Sequence, residues 1–375
     1  MPGKQLRIEW RRGAEQLSAL EAPWRALLSR SGAHPWFNSP DWLFDHQGAY
    51  GAPGEQSAAL TVWSGAELVG LLALVREPGR QAWILRRARL LGDGSFDSDH
   101  LEPLLDPERR SEAAAALVQG LGRARLAAYA ILRTLPQASA GVQAFLRALE
   151  HSGRPLRREE RLAACALLPA DFEAYVGGLK PRMRSKLRQA LRRAEERGLV
   201  HEQLAPGAPL EPWLEQLFSL HQQRWSAAGQ PGAFADPRRV ALYRSAFARL
   251  HAAGLARIDR LVGPQGPVAI QAGFDIDSAY HQLQEGYAPA QAAERPGIAL
   301  RALAMRGALE RGLTRYDFLG GYSGHKSDWG AQAVPLWSLT LPLSSWAGRL
   351  AVQRLSRRAA RAAPAAAGET PAEDG

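Results

Sequence analysis

Cysteine is nearly absent: Cys165 alone serves a chain of 375 residues. That excludes an internal disulfide framework and a cysteine-built zinc site, and it suits a reducing compartment. Cys165 lies in the apolar run CALL, where a buried structural thiol is a better reading than a nucleophile. Long apolar runs are also missing. None reaches the roughly 18 residues of a membrane span, so no transmembrane segment is expected. The opening MPGKQLRIEWRR has charge but no apolar stretch, so it does not read as a secretory leader, and a cytoplasmic location is expected. No HExxH, cysteine pair or GxSxG occurs, so metalloprotease and serine-hydrolase chemistry are unsupported and no metal is called for. Lysine is scarce too. Only Lys4, Lys180, Lys186 and Lys326 stand in a basic complement that is otherwise arginine. A lysine inside a glycine loop, as at Lys326, is then informative, because a flexible amine differs chemically from a fixed guanidinium fork.

What is present is ordinary globular material, 46% hydrophobic and 22% charged, long enough for two domains with cores of their own. The net charge of +10 favours anionic partners without choosing among nucleic acid, a phosphorylated cofactor and a membrane surface.

The pattern is mixed α/β throughout. A helix is expected over Glu15 to Ser29, and HPWFNSPDWLFDH reads as a turn into a short aromatic helix, with Ser39 or Asn38 as cap and Pro40 near its first position. Leu60–Trp63 and Leu68–Val75 read as a hairpin. A strand is expected around Trp83 to Leu91, a helix over Glu112 to Ala124 and a strand over Ala128 to Leu132. A second α/β region opens near Arg161. It holds a strand at Cys165–Leu168, helices at 171–178, 182–197, 213–223 and 237–253, and a three-strand meander at 255–262, 268–277 and 279–287. A helix from Pro296, a short strand at Arg315–Leu319 and a last strand at Leu336–Leu341 follow. Hairpin, strand, helix, strand recur in both halves, which reads as an internal duplication: two similar domains, 1–160 and 161–348, with a cleft between them. Residues 349–375 pass from a basic helix into PAAAGETPAEDG, a low-complexity tail expected to be disordered.

The most informative stretch is Arg295 to Trp329, RPGIALRALAMRGALERGLTRYDFLGGYSGHKSDW. A Pro-Gly step opens an apolar helix, and glycine there lets an anion approach free backbone N–H groups at the positive end of the helix dipole. Gly297, Ile298 and Ala299 are the candidate phosphate cradle; the alternative is an ordinary helix start with proline at its first position. Asp317 is either a cleft carboxylate that orients an amine or water, or, the favoured reading, a structural acceptor for the turn after it. Lys326, with Tyr322, His325 and Trp329 beside it in the loop, either holds an anionic substrate group or is a solvated lysine. On AYHQLQEGY, alternation places His281, Leu283, Glu285 and Tyr287 on one face. His281 and Glu285 are candidate general bases, and Tyr287 a proton donor to a thiolate leaving group. The helix KPRMRSKLRQALRRAEER presents one apolar stripe, Met183, Leu187, Ala190, Leu191 and Ala194. Its basic face, which includes Arg184, either is solvated or contacts phosphate. No RNP, KH or helix-turn-helix signature supports nucleic-acid binding. The loop Asp93 to Glu102 lacks the EF-hand spacing; Asp97 and Asp99 read as an acidic wall for a cationic or hydroxylated acceptor.

WFNSPDWL, LKPRMRSKLRQALRRAEERG, QQRWSAAGQPGAF and YDFLGGYSGHKSDWG, in this order over residues 35 to 340, make the chain similar to a known group. It resembles the Gcn5-related acetyltransferases, specifically the two-domain CelD/BcsL-like branch related to the Fem peptidyltransferases. The resemblance implies tandem α/β (α+β) acyltransferase folds, each a mostly antiparallel sheet flanked by helices. It implies acyl-CoA, for instance acetyl-CoA, as co-substrate on a splayed strand ending at Tyr287, with amides of Gly297, Ile298 and Ala299 on the pyrophosphate. Asp317, Gly320, Gly321 and Lys326 match the group's YDF…GG…K signature, and the matching lysine of the Fem relatives contacts the anionic groups of substrate. The superfamily's R/Q-x-x-G-x-G/A loop is absent, since residues 291–297 lack its first glycine, so an acyl carrier protein or an aminoacyl-tRNA are alternative donors. The expected function is acyl transfer to an amine, before a hydroxyl, of a sugar or cell-envelope acceptor. The rivals are a Fem-like tRNA-dependent transferase and a non-catalytic partner in polysaccharide assembly.

Overall fold

A computed structural model of the protein describes residues 5–78, 86–95, 97–123, 126–343 and 346–362. The chain forms two compact units: residues up to Arg161 together with those from Pro335 onward, and Leu162–Val334. Residues 83–85 of the strand expected around Trp83 to Leu91, and the tail from 363, lie outside the described residues.

In the first unit the strands are β1 (Leu6–Arg12), β2 (Gln56–Ser64), β3 (Glu67–Arg76), β4 (Arg87–Leu90), β5 (Leu104–Leu105) and β6 (Tyr129–Pro136). The expected hairpin is β2 and β3, joined by a turn at Ser64-Gly65, where a φ of +64° suits glycine. The helices are α1 (Gly13–Ser18), α2 (Glu21–Ser31), α3 (Pro40–Tyr50), α4 (Arg110–Leu121) and α5 (Ala140–His151). The helix expected over Glu15 to Ser29 is thus two helices, broken at Ala19–Leu20, and the break still lets Leu17, Leu20 and Trp24 bury together. Ser39 caps α3 by accepting the Trp42 N–H, with Pro40 at its first position. In this unit β1, the two-residue β5 and α5 went unread in the sequence; Ser139 caps α5, which buries Val142, Phe145, Leu146 and Leu149.

The second unit begins within β7 (Arg157–Leu167) and holds α6 (Phe172–Gly178), α7 (Pro181–Glu196), β8 (Val200–Gln203), α8 (Glu211–Ala227), α9 (Pro237–Ala252), β9 (Ala256–Gly263), β10 (Gly266–Ile276), β11 (Ala279–Tyr287), α10 (Pro296–Glu310), β12 (Arg315–Gly320) and α11 (Gly324–Asp328). Its strands lie in the order β7-β12-β11-β10-β9-β8. The apolar stripe of α7 packs on α10. Met183 and Leu187 meet Ala302 and Met305, and Ala190 and Ala194 meet Ala299 and Leu300. The opposite sheet face is covered by α8, whose backbone at Leu220–His221 lies so close to Gly286 that a side chain there has no room.

The chain then enters β13 (Gln332–Pro342), whose end pairs with β6 in the first unit, and α12 (Trp346–Ala362). The first-unit order is β1-β2-β3-β4-β6-β13, with β5 beside β3. Among the described residues each unit contains one parallel pairing, three residues long, inside antiparallel surroundings: β4 with β6, and β11 with β12. Both pairs flank a helix, α4 or α10, in the chain. Among the described residues no helix is long and apolar enough to cross a membrane.

Leu187→Ala is expected to lower stability by about 2–5 kcal/mol in urea unfolding, because it opens a cavity in the α7–α10 seam. Arg188→Ala, one residue on and exposed, is expected to shift stability by no more than about 0.5 kcal/mol.

Candidate functional site

In the second unit β11 and β12 pair only through Ala279–Arg315, Tyr280–Tyr316 and His281–Asp317. Beyond that point β11 continues to Tyr287 without β12 beside it, and a wedge opens between the two strands. Each limb carries a distortion that helps open it.

On β11 the register against β10 slips: Gly273 faces Gln282, yet Ala272 faces Gln284, so Leu283 is a bulge. The slip corrects the expected alternation. Tyr280 and Tyr287 both pack toward α10, and Glu285 reaches Arg301 of that helix. His281 lies on the other face, buried, with its ring 4.9 Å from Phe274 and Nδ1 3.6 Å from the Asp317 carboxylate. His281 and Glu285 therefore do not share a face.

On β12 the register against β7 shifts between Asp317 and Gly320, and Leu319 adopts a φ of +59°, a conformation that side chains avoid. The Asp317 carboxylate accepts the Leu319 N–H at 2.8 Å. Lys326 Nζ donates to the carbonyls of Phe318 (3.0 Å), Leu319 (3.5 Å) and Gly320 (2.5 Å). Both side chains thus hold the kinked strand end. Gly321 follows in the left-handed region and donates its N–H to the Leu162 carbonyl. What was expected as a loop is the short helix α11, capped by Ser323, which accepts the Lys326 N–H.

Arg301 crosses the wedge. It projects from α10, is 4% exposed, and lies 5.1 Å from the centre of the Trp329 ring and 5.7 Å from that of Phe318. Nη2 donates to Glu285 Oε2, and Nη1 donates to His325 Nε2 at 2.7 Å. Glu285 also accepts from Arg224 of α8 at 3.2 Å and from Gln282 at 3.0 Å. Burial alone would raise the Glu285 carboxyl, but the Arg301 and Arg224 guanidiniums outweigh it and hold it below the usual range. A carboxylate gripped this way is a poor general base, which corrects that expectation. His325 is exposed at its edge, yet desolvation and then the Arg301 charge lower its pKa to about 4. Sequence reasoning missed Arg301 and Arg224. The one available signal was a lone arginine among apolar residues at the spacing of the buried face of α10.

At the entry to α10, Arg295 is left-handed and its carbonyl accepts from the N–H groups of both Ile298 and Ala299. This corrects the expected cradle: those two amides are spent inside the helix, and Pro296 has none. Gly297 remains, with Tyr287 packed beside it. Three arginines gather at this turn. Arg193 donates to the Ala293 carbonyl, Arg197 pairs with Glu294, and Arg295 donates to Gln189.

The other expected residues lie apart from the wedge. Arg184 caps α6 through the Gly177 carbonyl at 2.9 Å. Asp97 and Asp99 belong to the first unit, where both side chains are buried. Burial and then the Asp317 carboxylate push the Cys165 thiol up to about 12, so it is not a thiolate at neutral pH. Among the described residues no group of three or more His, Cys, Asp and Glu side chains forms a metal-ligand set.

A helix entered by a Pro-Gly turn, between two parallel strands that separate, is the arrangement of one known fold. Residues 181–327 match the model of the acetyltransferase (GNAT) domain. Those residues of the second unit are similar to an acyltransferase domain of that type, and both units have mixed, mostly antiparallel sheets flanked by helices. The crystal structure of FemX is 12% identical over 84% of this chain and 95% of that one, with a TM-score of 0.61. A conserved protein of unknown function from Bacteroides thetaiotaomicron VPI-5482 is 12% identical over 86% and 97%, with a TM-score of 0.54. A tandem GNAT protein from the clavulanic acid biosynthesis pathway aligns at 14% identity over 90% and 99%, with a TM-score of 0.49. At such identities the likeness is one of fold. No curated protein matches the chain by sequence.

Asp317→Ala and Lys326→Met are each expected to cost about 1–3 kcal/mol of stability, since each leaves buried backbone groups of the strand end unpaired. Because both hold one bulge, the double variant is expected to cost less than the sum, by about 0.5 kcal/mol or more in a thermal-unfolding cycle. Strict additivity would separate the two roles.

Proposed function

We propose that the chain is an acyl-CoA-dependent N-acyltransferase of the CelD/BcsL-like branch. It transfers an acyl group such as acetyl to an amine, in preference to a hydroxyl, of a sugar or cell-envelope acceptor in the cytoplasm. The observation that carries this is the separation of β11 from β12 after His281. It leaves one edge of β11 without a strand, and an extended pantetheine arm with its own amides is suited to that edge. The Gly297 amide, the helix dipole and the arginines at the α10 entry favour the diphosphate at the other end of the donor.

In this scheme the acceptor nitrogen attacks the thioester carbon. The N–C bond forms and the carbonyl oxygen becomes an oxyanion. When the carbonyl reforms, the C–S bond breaks and the thiolate takes a proton from Tyr287, at the end of β11 beside Gly297. The proton shed by the amine returns to Tyr287 through water, so the enzyme ends unchanged. The domain supplies orientation and electrostatics, and no step needs a metal.

A Fem-like transfer from aminoacyl-tRNA is the second reading. It is favoured by the exposed Arg182, Arg188 and Arg192 along α7 and by the fold shared with FemX. Separate binding titrations with tRNA and with acetyl-CoA distinguish the two donors.

Tyr287→Phe keeps the ring against the α10 entry and removes only the hydroxyl. It is expected to lower kcat for acetyl transfer about 100-fold with little change in the KM for acetyl-CoA. Wild-type turnover in this variant would remove Tyr287 from proton donation.

A further inference from the structure

The helix α11 is tied to both limbs of the wedge. Lys326 binds the carbonyls that end β12, and its neighbour His325 is joined through Arg301 to Glu285 on β11. The imidazole is thereby held at Arg301, the guanidinium that also meets Glu285 of β11 and lies over the Phe318 ring of β12, and its far edge is exposed. Contact with Arg301 fixes its protonation as well as its place. A guanidinium has N–H donors and no acceptor. With Arg301 Nη1 at 2.7 Å, His325 Nε2 must be the bare nitrogen, and the single proton of a neutral ring sits on Nδ1.

The surrounding charges favour the same state. Arg301 on α10, Arg224 on α8 and Lys186 on α7 face the ring against one carboxylate, Glu285 on β11. On its own helix, Lys326 is engaged with the strand-end carbonyls and Asp328 with Lys180 at 3.8 Å. A ring so placed cannot serve as the base, because its lone pair is already given to Arg301. Its free function is donation.

We propose that His325 is the oxyanion donor of this site, a neutral imidazole whose Nδ1–H bonds the thioester oxygen as that oxygen takes up charge. Arg301 is its positioning residue, held in turn by Glu285. The assignment rests on the acyl-transfer reading above. When the N–C bond forms, the carbonyl π pair moves to oxygen, and Nδ1–H holds it without giving up the proton. When the pair returns and the C–S bond breaks, His325 is as it began.

The test uses the full chain. Long-range proton–nitrogen spectra with labelled histidine, and His325→Ala to assign the signal, are expected to show the Nδ1–H tautomer at neutral pH. A protonated ring or the Nε2–H tautomer overturns the proposal whether or not acyl transfer is found. In acetyl transfer to a panel of amines, His325→Ala is expected to lower kcat by about 100–1,000-fold. His325→Asn, whose Nδ2–H stands where Nδ1–H stood, is expected to stay within about tenfold of wild type. Equal losses in the two variants overturn the donor role. A wild-type chain inert toward every acyl-CoA overturns the acyl-transfer reading and the donor role that rests on it, whereas an active chain with equal losses in the two variants overturns the donor role alone.

Discussion

One buried ion pair organises the wedge. Arg301 sits on an otherwise apolar face of α10, where an unpaired cation would cost several kcal/mol. Glu285 on β11 supplies the countercharge, and the faces of Trp329 and Phe318 supply further stabilisation. Burial by itself would lower the Arg301 pKa, but Glu285 prevails and raises it, so the charge is permanent. The Nε of Arg301 is buried and makes no hydrogen bond, so the two Nη groups alone set its direction. One guanidinium thereby registers a helix, a strand and α11 against each other. An apolar residue at 301 would leave Glu285 with Arg224 and leave His325 without its anchor.

The wedge is held open against local preference. A leucine at positive φ costs roughly 1–2 kcal/mol, and a strand end bent away from its neighbour leaves carbonyls without partners. Asp317 takes the displaced N–H, and Lys326 takes three carbonyls in succession. The YDF…GG…K pattern therefore describes a scaffold in this structure. Aspartate, glycines and lysine are spaced to hold one kink.

Much of this was legible in the sequence, and the exceptions have physical causes. The α7 stripe, the capped α3 and the meander announce themselves because helical and strand periods are visible over many residues. The structural role preferred for Asp317 could be read from the turn that follows it. The faces of β11 could not. A bulge adds one ordinary residue, here Leu283, with no signature of composition, and it reverses every face after it. The amides of Ile298 and Ala299 looked free because a Pro-Gly start says nothing about where the preceding carbonyl points. That carbonyl belongs to Arg295, whose left-handed backbone turns it into the helix. Arg301 was invisible for a related reason: its meaning lies in Glu285, sixteen positions earlier, and in His325, twenty-four later.

Under the proposed acyl transfer, the charge of the wedge favours one moment of the reaction over another. Two guanidiniums against one carboxylate leave an excess positive charge beside the ring of His325. A thioester is neutral, so this field does little for the bound donor. In the proposed transfer the tetrahedral oxygen is negative, and the same field then acts on it. An imidazolium at 325 would add to that field but would also attract any passing anion and would need an acceptor where Arg301 now stands. A neutral imidazole avoids both. It contributes a directed N–H, leaves the fixed charge to residues that cannot titrate near neutrality, and lets the site discriminate between the thioester and the species it becomes.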